Sequence, residues 1–110
     1  MTLWAVVPVK PFAQAKQRLA LELSGPQRAT LAACMLRDVL TALAATPALA
    51  GRLVVTADAA AAALARSLGA VVLPEPEPAG LNEAVRAAAS WVQAQGGSAM
   101  LVVPGDAPGV

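Results

Sequence analysis

Three cations stand close together near the start of the chain: Lys10, Lys16 and Arg18, within nine positions. A lysine is a point charge and an arginine a planar fork, and both suit phosphate oxygens. Neither G-x-x-x-x-G-K-[ST] nor G-x-G-x-x-G occurs, which disfavours a P-loop ATPase or a dinucleotide dehydrogenase. With few glycines to bring backbone N–H groups onto a phosphate, side-chain cations would have to do that work. The alternative is three solvated charges flanking a turn. Near the other end, Asp106 lies between Pro104 and Pro108. A carboxylate held there suits a Mg²⁺ that bridges to phosphate oxygens, because Mg²⁺ on phosphates commonly takes only one or two protein carboxylates. Equally, an Asp beside Gly105 is ordinary turn chemistry. Asn82, just after Gly80-Leu81, could hydrogen-bond a base or ribose, or could satisfy N–H groups where a helix starts.

Composition narrows the chemistry further. The 110 residues include no histidine, which excludes Ser-His triads, His general bases and His metal ligands. The single cysteine, Cys34, leaves no disulfide or C-x-x-C site and fits a reducing, intracellular setting. Eight Lys and Arg against seven Asp and Glu give a net charge of +1, which argues against a broad basic face for nucleic acid. Hydrophobic residues make up 57% and charged residues 14%, so the chain has the means to fold. Met1 to Val9 carries no basic region of a secretory signal. The longest uncharged stretch, Ala87 to Gly105, is broken by Gln93, Gln95, Gly96, Gly97 and Ser98, unlike a spanning helix. The expectation is a soluble, cytoplasmic domain with neither membrane nor nucleic acid as partner.

The elements that must position these residues alternate between strand and helix. Leu3 to Val7 is an apolar run without alternation, as in a strand buried on both faces, and Pro8 is expected to end it. Ser24 to Ala45 is the strongest helix, with Ser24 and Gln27 as a capping box and Pro26 in its first turn. Its Leu31, Met35, Leu36, Val39, Leu40 and Leu43 share one side, and Thr30, Arg37, Asp38 and Thr41 the other. Arg52 to Thr56 reads as the second strand. Asp58 caps an Ala-rich helix to Leu68, and Gly69 ends it. Ala70 to Leu73 is the third strand, Leu81 to Gln95 a helix ending at Gly96-Gly97, and Ala99 to Val103 the fourth strand. Cys34 is expected to be a buried, inert thiol and Trp4 and Trp91 packing residues; Glu75 and Glu77 read as solvated loop charges.

This order implies an α/β, Rossmann-like three-layer αβα architecture with four parallel strands. Ligands in such sheets bind outside the carboxyl ends of the strands. The segments Lys10 to Arg18, Thr56 to Asp58, Pro74 to Asn82 and Pro104 to Pro108 are therefore the ones to question.

Four of these stretches, V-V-P-V-K-P-F-A-Q-A-K-Q-R-L-A (Val6 to Ala20), S-G-P-Q-R-A-T-L-A-A-C-M-L-R-D-V-L (Ser24 to Leu40), G-L-N-E-A-V-R-A-A (Gly80 to Ala88) and V-V-P-G-D-A-P (Val102 to Pro108), carry a family likeness. The chain resembles the 2-phospho-L-lactate, or phosphoenolpyruvate, guanylyltransferases of coenzyme F-420 biosynthesis. These have the MobA-like fold of nucleotide-diphospho-sugar transferase type. Its most specific part is K-P-x-x-x-A-K-x-R-L.

The resemblance implies that GTP condenses with a small phosphorylated acid (phosphoenolpyruvate, 2-phospho-L-lactate or 3-phosphoglycerate) to a guanosine diphospho-conjugate and pyrophosphate. It implies Lys10, Lys16 and Arg18 on the triphosphate, Gly80 and Asn82 in the nucleoside pocket, and Asp106 as ligand of Mg²⁺. Catalysis would then rest on Lys16, Arg18 and Asp106. Gln17 departs from the family, which usually has Ser or Thr there. Because Val110 falls about half-way along the family's usual length, residues 1–110 are expected to be the N-terminal nucleotide-binding half of one nucleotidyltransferase domain, its sheet incomplete. The competing expectation is a catalytically inactive nucleotide-binding remnant or interaction module of the same fold. In related folds the strands run 3-2-1-4, which would leave the fourth strand as an apolar edge open to a second copy of the chain.

Overall fold

The computed structural model describes residues 2–9, 25–75 and 81–103. Its elements are β1 (Leu3–Val9), α1 (Gly25–Ala44), β2 (Leu49–Thr56), α2 (Ala59–Ser67), β3 (Val71–Pro74), α3 (Leu81–Ala94) and β4 (Ala99–Val102). The four strands form one parallel sheet in the order β3-β2-β1-β4. This is the α/β arrangement expected from the sequence, and the strand order is the one that the family likeness implied.

Strand residues alternate between two covered faces. Val7 and Val54 meet Leu36, Val39 and Leu40 of α1 and Ala61 and Ala65 of α2. Val6, Leu53 and Val55 turn the other way, onto Ala84, Ala88 and Val92 of α3. Two helices on one face and one on the other explain why the central strands read as unbroken apolar runs. The alanines of α2 and α3 matter here, because small side chains let those helices lie close to the sheet. Along α1, Arg37, Asp38 and Thr41 are exposed and Met35, Leu36, Val39 and Leu40 are buried, as the 100° spacing predicts.

Three readings need correction. β1 does not stop at Pro8 but runs to Val9, with Pro8 opposite Val55 and Val9 opposite Thr56 of β2. The reason lies in which way Pro8 faces. In a parallel ladder a residue turns its N–H and C=O to the same neighbour, and alternate residues share that neighbour. Val6 accepts from the Val103 N–H at 2.8 Å, so Val6 and Pro8 both face β4 and Val7 faces β2. Proline therefore costs β1 no bond to β2, while β4 itself ends at Val102. Second, β2 starts at Leu49, three residues before Arg52. Third, Cys34 is exposed on α1, not buried.

Three helix ends follow the sequence signals, at Asp58, Gly69 and Gly96. Asp58 caps α2 by accepting from the Ala60 N–H at 3.0 Å. Gly69 and Gly96 take φ of 82° and 84°, the left-handed conformation that side-chain-bearing residues resist after a helix. Arg52 supplies a tie that local signals do not show. Its guanidinium donates to the Leu40 carbonyl at 2.9 Å and to the Leu68 carbonyl at 2.6 Å. One cation thus joins the carboxyl-terminal turns of α1 and α2, where helix dipoles favour positive charge.

At the same end of the sheet, Trp4 and Trp91 pack edge to face, with ring centroids 5.0 Å apart and planes at 83°. A Cβ placed on Gly51 would lie 2.5 Å from the Trp4 ring, and one on Gly97 would lie 2.9 Å from it. Trp4 fills the room that these two glycines leave.

Candidate functional site at the carboxyl edge of the sheet

Because all strands are parallel, their carboxyl ends share one edge. Val9 of β1, Thr56 of β2 and Pro74 of β3 are in register with one another, and β1 and β4 are neighbours, with Val6 opposite Val102. The strand order reverses between β1 and β4, and that is where sheets of this type take ligands. Lys10 is the residue after Val9, and Asp106 is the third after Val103.

The candidate residues stand as follows. Lys10, Lys16, Arg18, Gly80 and Asp106 lie outside the described residues, as do Ser24 and Glu77. Asn82 is in the first turn of α3 by its backbone, and its side chain lies outside the described part. Among the described residues, no three His, Cys, Asp or Glu side chains come together as metal ligands.

The surroundings constrain where an anion could sit. Among the basic residues with described side chains, Arg52 lies within β2 with its guanidinium on the Leu40 and Leu68 carbonyls, Arg66 is in the last turn of α2, and Arg37 and Arg86 lie along helices. None of these four is at the carboxyl edge. The helix starts differ as well. Asp58 occupies the first turn of α2 with its own carboxylate, and α3 carries Glu83 in its first turn. α1 has no acid in its first turn, so no carboxylate of its own meets the positive end of its dipole there.

Two acidic residues shape this edge on the β2–β3 side. The buried Thr56 accepts from the Asp58 N–H through its Oγ1 at 3.0 Å, which fixes the turn from β2 into α2. Glu75 donates its N–H to the Thr56 carbonyl at 2.9 Å, extending the β2–β3 ladder by one residue. Glu75 is half-buried rather than a fully solvated loop charge, and burial raises its carboxyl pKa above the usual 4.5.

A cleft of about 360 Å³ lies at the opposite edge, among Trp4, Leu43, Thr46, Gly51, Arg52 and Val71. Its cation, Arg52, is spent on the Leu40 and Leu68 carbonyls, so the cleft offers an anion little.

Residues 3–110 match the family model for CofC-like guanylyl transferases. The chain belongs to this family. It is similar to the phosphoenolpyruvate guanylyltransferase of Nocardia farcinica (strain IFM 10152), with 46% identity over 108 residues, 94% of this chain and 48% of that protein. The phosphoenolpyruvate guanylyltransferases of Conexibacter woesei and Mycolicibacterium vanbaalenii are 40% and 43% identical, covering 98% and 94% of this chain. The chain spans about half the length of these relatives. No helix among the described residues is long and apolar enough to cross a membrane.

Proposed function

We propose that the chain is the N-terminal nucleotide-binding half, residues 1–110, of a cytoplasmic guanylyltransferase acting in coenzyme F-420 biosynthesis. The reaction joins GTP to a small phosphorylated acid: phosphoenolpyruvate, 2-phospho-L-lactate or 3-phosphoglycerate. An ionised phosphate oxygen of the acid attacks the α-phosphorus of GTP. The bond from that phosphorus to the bridging oxygen breaks, and pyrophosphate leaves with the electron pair. The attacking oxygen carries no proton, so the step needs no general base, in keeping with a chain that has no histidine.

Lys10, Lys16 and Arg18 hold the triphosphate and stabilise the charge that grows on the leaving pyrophosphate. Gly80 and Asn82 line the nucleoside pocket. Asp106 is the Mg²⁺ ligand, a hard oxygen donor of the type this ion takes. The metal, when bound, neutralises charge on the phosphate oxygens.

The observation that carries this reading is the adjacency of β1 and β4, whose carboxyl ends lie side by side at the point where the strand order reverses. Covalent reach of about 3.3–3.6 Å per residue covers three steps from Val103 to Asp106 and seven from Val9 to Lys16. One Mg·GTP can therefore meet both. Calorimetric titration with Mg·GTP, run beside a pyrophosphate-release assay with phosphoenolpyruvate, is the test. Saturable binding with turnover is expected of the enzyme. Binding without turnover would make the chain a nucleotide-binding module, and no binding would end the reading.

The same proposal extends to a second copy of the chain as partner. Among the described residues β4 is an outer strand of the sheet, carries no charge in Ala99–Val102, and exposes 48% of Leu101. An apolar edge without charged residues invites pairing with another strand. Sedimentation at micromolar concentration is expected to show dimers or larger species, with Leu101→Lys shifting them towards monomer. A clean wild-type monomer would refute this.

A further inference from the structure

We infer that Glu75 reads the base of the bound nucleotide, its carboxylate accepting the two adjacent N–H donors of a guanine edge. The inference rests on the nucleotide-binding reading above and assigns its base specificity. Position comes first. Glu75 follows β3 directly, and its N–H bond to the Thr56 carbonyl anchors it at the carboxyl edge. Thr56 is in register with Val9, so Glu75 sits just past the level of Val9 and two strands across from β1. With strands about 4.8 Å apart, that is a lateral offset of about 10 Å. A nucleotide with its phosphates over the β1–β4 junction reaches that far with its base.

Chemistry then selects between the two described acids on the β2–β3 side of this edge. Asp58 is occupied as the cap of α2. Glu75 is half-buried, and among the described residues its carboxylate makes no hydrogen bond or ion pair. A carboxylate in a partly dry position with no donor among the described residues is short of what stabilises its charge, and burial raises its pKa. Guanine supplies the missing donors: its ring N–H and its exocyclic amino group point the same way, and a carboxylate can accept both at once. Adenine and cytosine present an amino group beside a ring lone pair. One carboxylate oxygen would then face another acceptor, so both bases are disfavoured.

The test compares Mg·GTP, Mg·inosine triphosphate and magnesium inorganic triphosphate by calorimetry, on wild type and on Glu75→Gln. Inosine lacks the exocyclic amino group and removes one of the two donors. Wild type is expected to prefer GTP over inosine triphosphate by about tenfold, the worth of one charge-assisted bond. Glu75→Gln is expected to weaken GTP binding by about 10- to 100-fold, to bring the GTP-to-inosine ratio close to one, and to leave inorganic triphosphate unchanged. Unchanged triphosphate binding also shows that the variant is folded. An intact preference in Glu75→Gln would overturn the inference, as would an equal loss of triphosphate binding, which marks a structural role. If wild type binds triphosphate but does not discriminate between the bases, the assignment of Glu75 falls while the phosphate site stands. If it binds neither nucleotide nor triphosphate, both fall.

Discussion

Replacing Lys16 by alanine is expected to weaken Mg·GTP binding about 10²-fold. The magnitude follows from the kind of site this is. The sequence has no glycine-rich phosphate loop to offer a ring of backbone N–H groups, and none of the described basic side chains lies at the carboxyl edge. Under the proposed function each cation of the Lys10–Arg18 segment would carry a large share of the triphosphate's charge. A charge-assisted hydrogen bond is worth about 1.5–3 kcal/mol, the upper value being roughly two decades in affinity. Where turnover is measured, the loss in rate is expected to be about 10²–10³, because in the proposed reaction the same cation would stabilise the departing pyrophosphate. Arg37→Ala is the matched control: it removes one positive charge from an exposed position within α1, and affinity should not move. Equal effects of the two substitutions would mean that only net charge matters, and an unchanged dissociation constant in Lys16→Ala would remove the phosphate-loop assignment.

The fold was legible where a residue's type fixes its surroundings. Ala5, Val6 and Val7 can lie side by side only in a strand covered on both faces, and all three are fully buried. Gly69 and Gly96 mark helix ends because few other residues accept their φ. Legibility failed where the surroundings are set by a distant element. Whether Pro8 breaks β1 depends on which neighbour it faces, and thus on where β4 stops. The half-burial of Glu75 depends on its bond to Thr56, nineteen positions earlier. Cys34 is different, because the signal was present. It lies four residues after Thr30 and three before Arg37, on the strip that α1 turns to solvent, and its chemical type obscured that position. The site was the least legible part. Asn82 apart, its candidate residues stand in stretches whose sequence has no periodicity to read, so the roles proposed for them rest on residue type and on the family likeness.

Trp4→Ala is expected to lower unfolding free energy by about 3 kcal/mol, the lower end of the cost of truncating a packed tryptophan, because Trp4 is half-buried. Small domains have only about 5–15 kcal/mol of stability to lose. The indole cannot be replaced by local relaxation. Gly51 and Gly97 have no side chains to move into the space, and Trp91 loses its edge-to-face partner. Approached from the other side, Gly51→Ala sets a methyl group against the ring and is expected to cost about 1–3 kcal/mol by overpacking. In the double variant the clash disappears, so the two costs should fall short of their sum. Urea unfolding followed by circular dichroism measures all three, and a loss below about 1 kcal/mol for Trp4→Ala would show that the ring is not a packing centre. These residues lie at the amino edge, one strand length from Val9. Their substitution should therefore lower stability while the folded fraction keeps its affinity for Mg·GTP, the reverse of the result expected for Lys16→Ala. Finding both losses in the same variant would mean that the two edges of the sheet are coupled, contrary to a fold in which the amino edge holds the sheet together and the carboxyl edge binds the nucleotide.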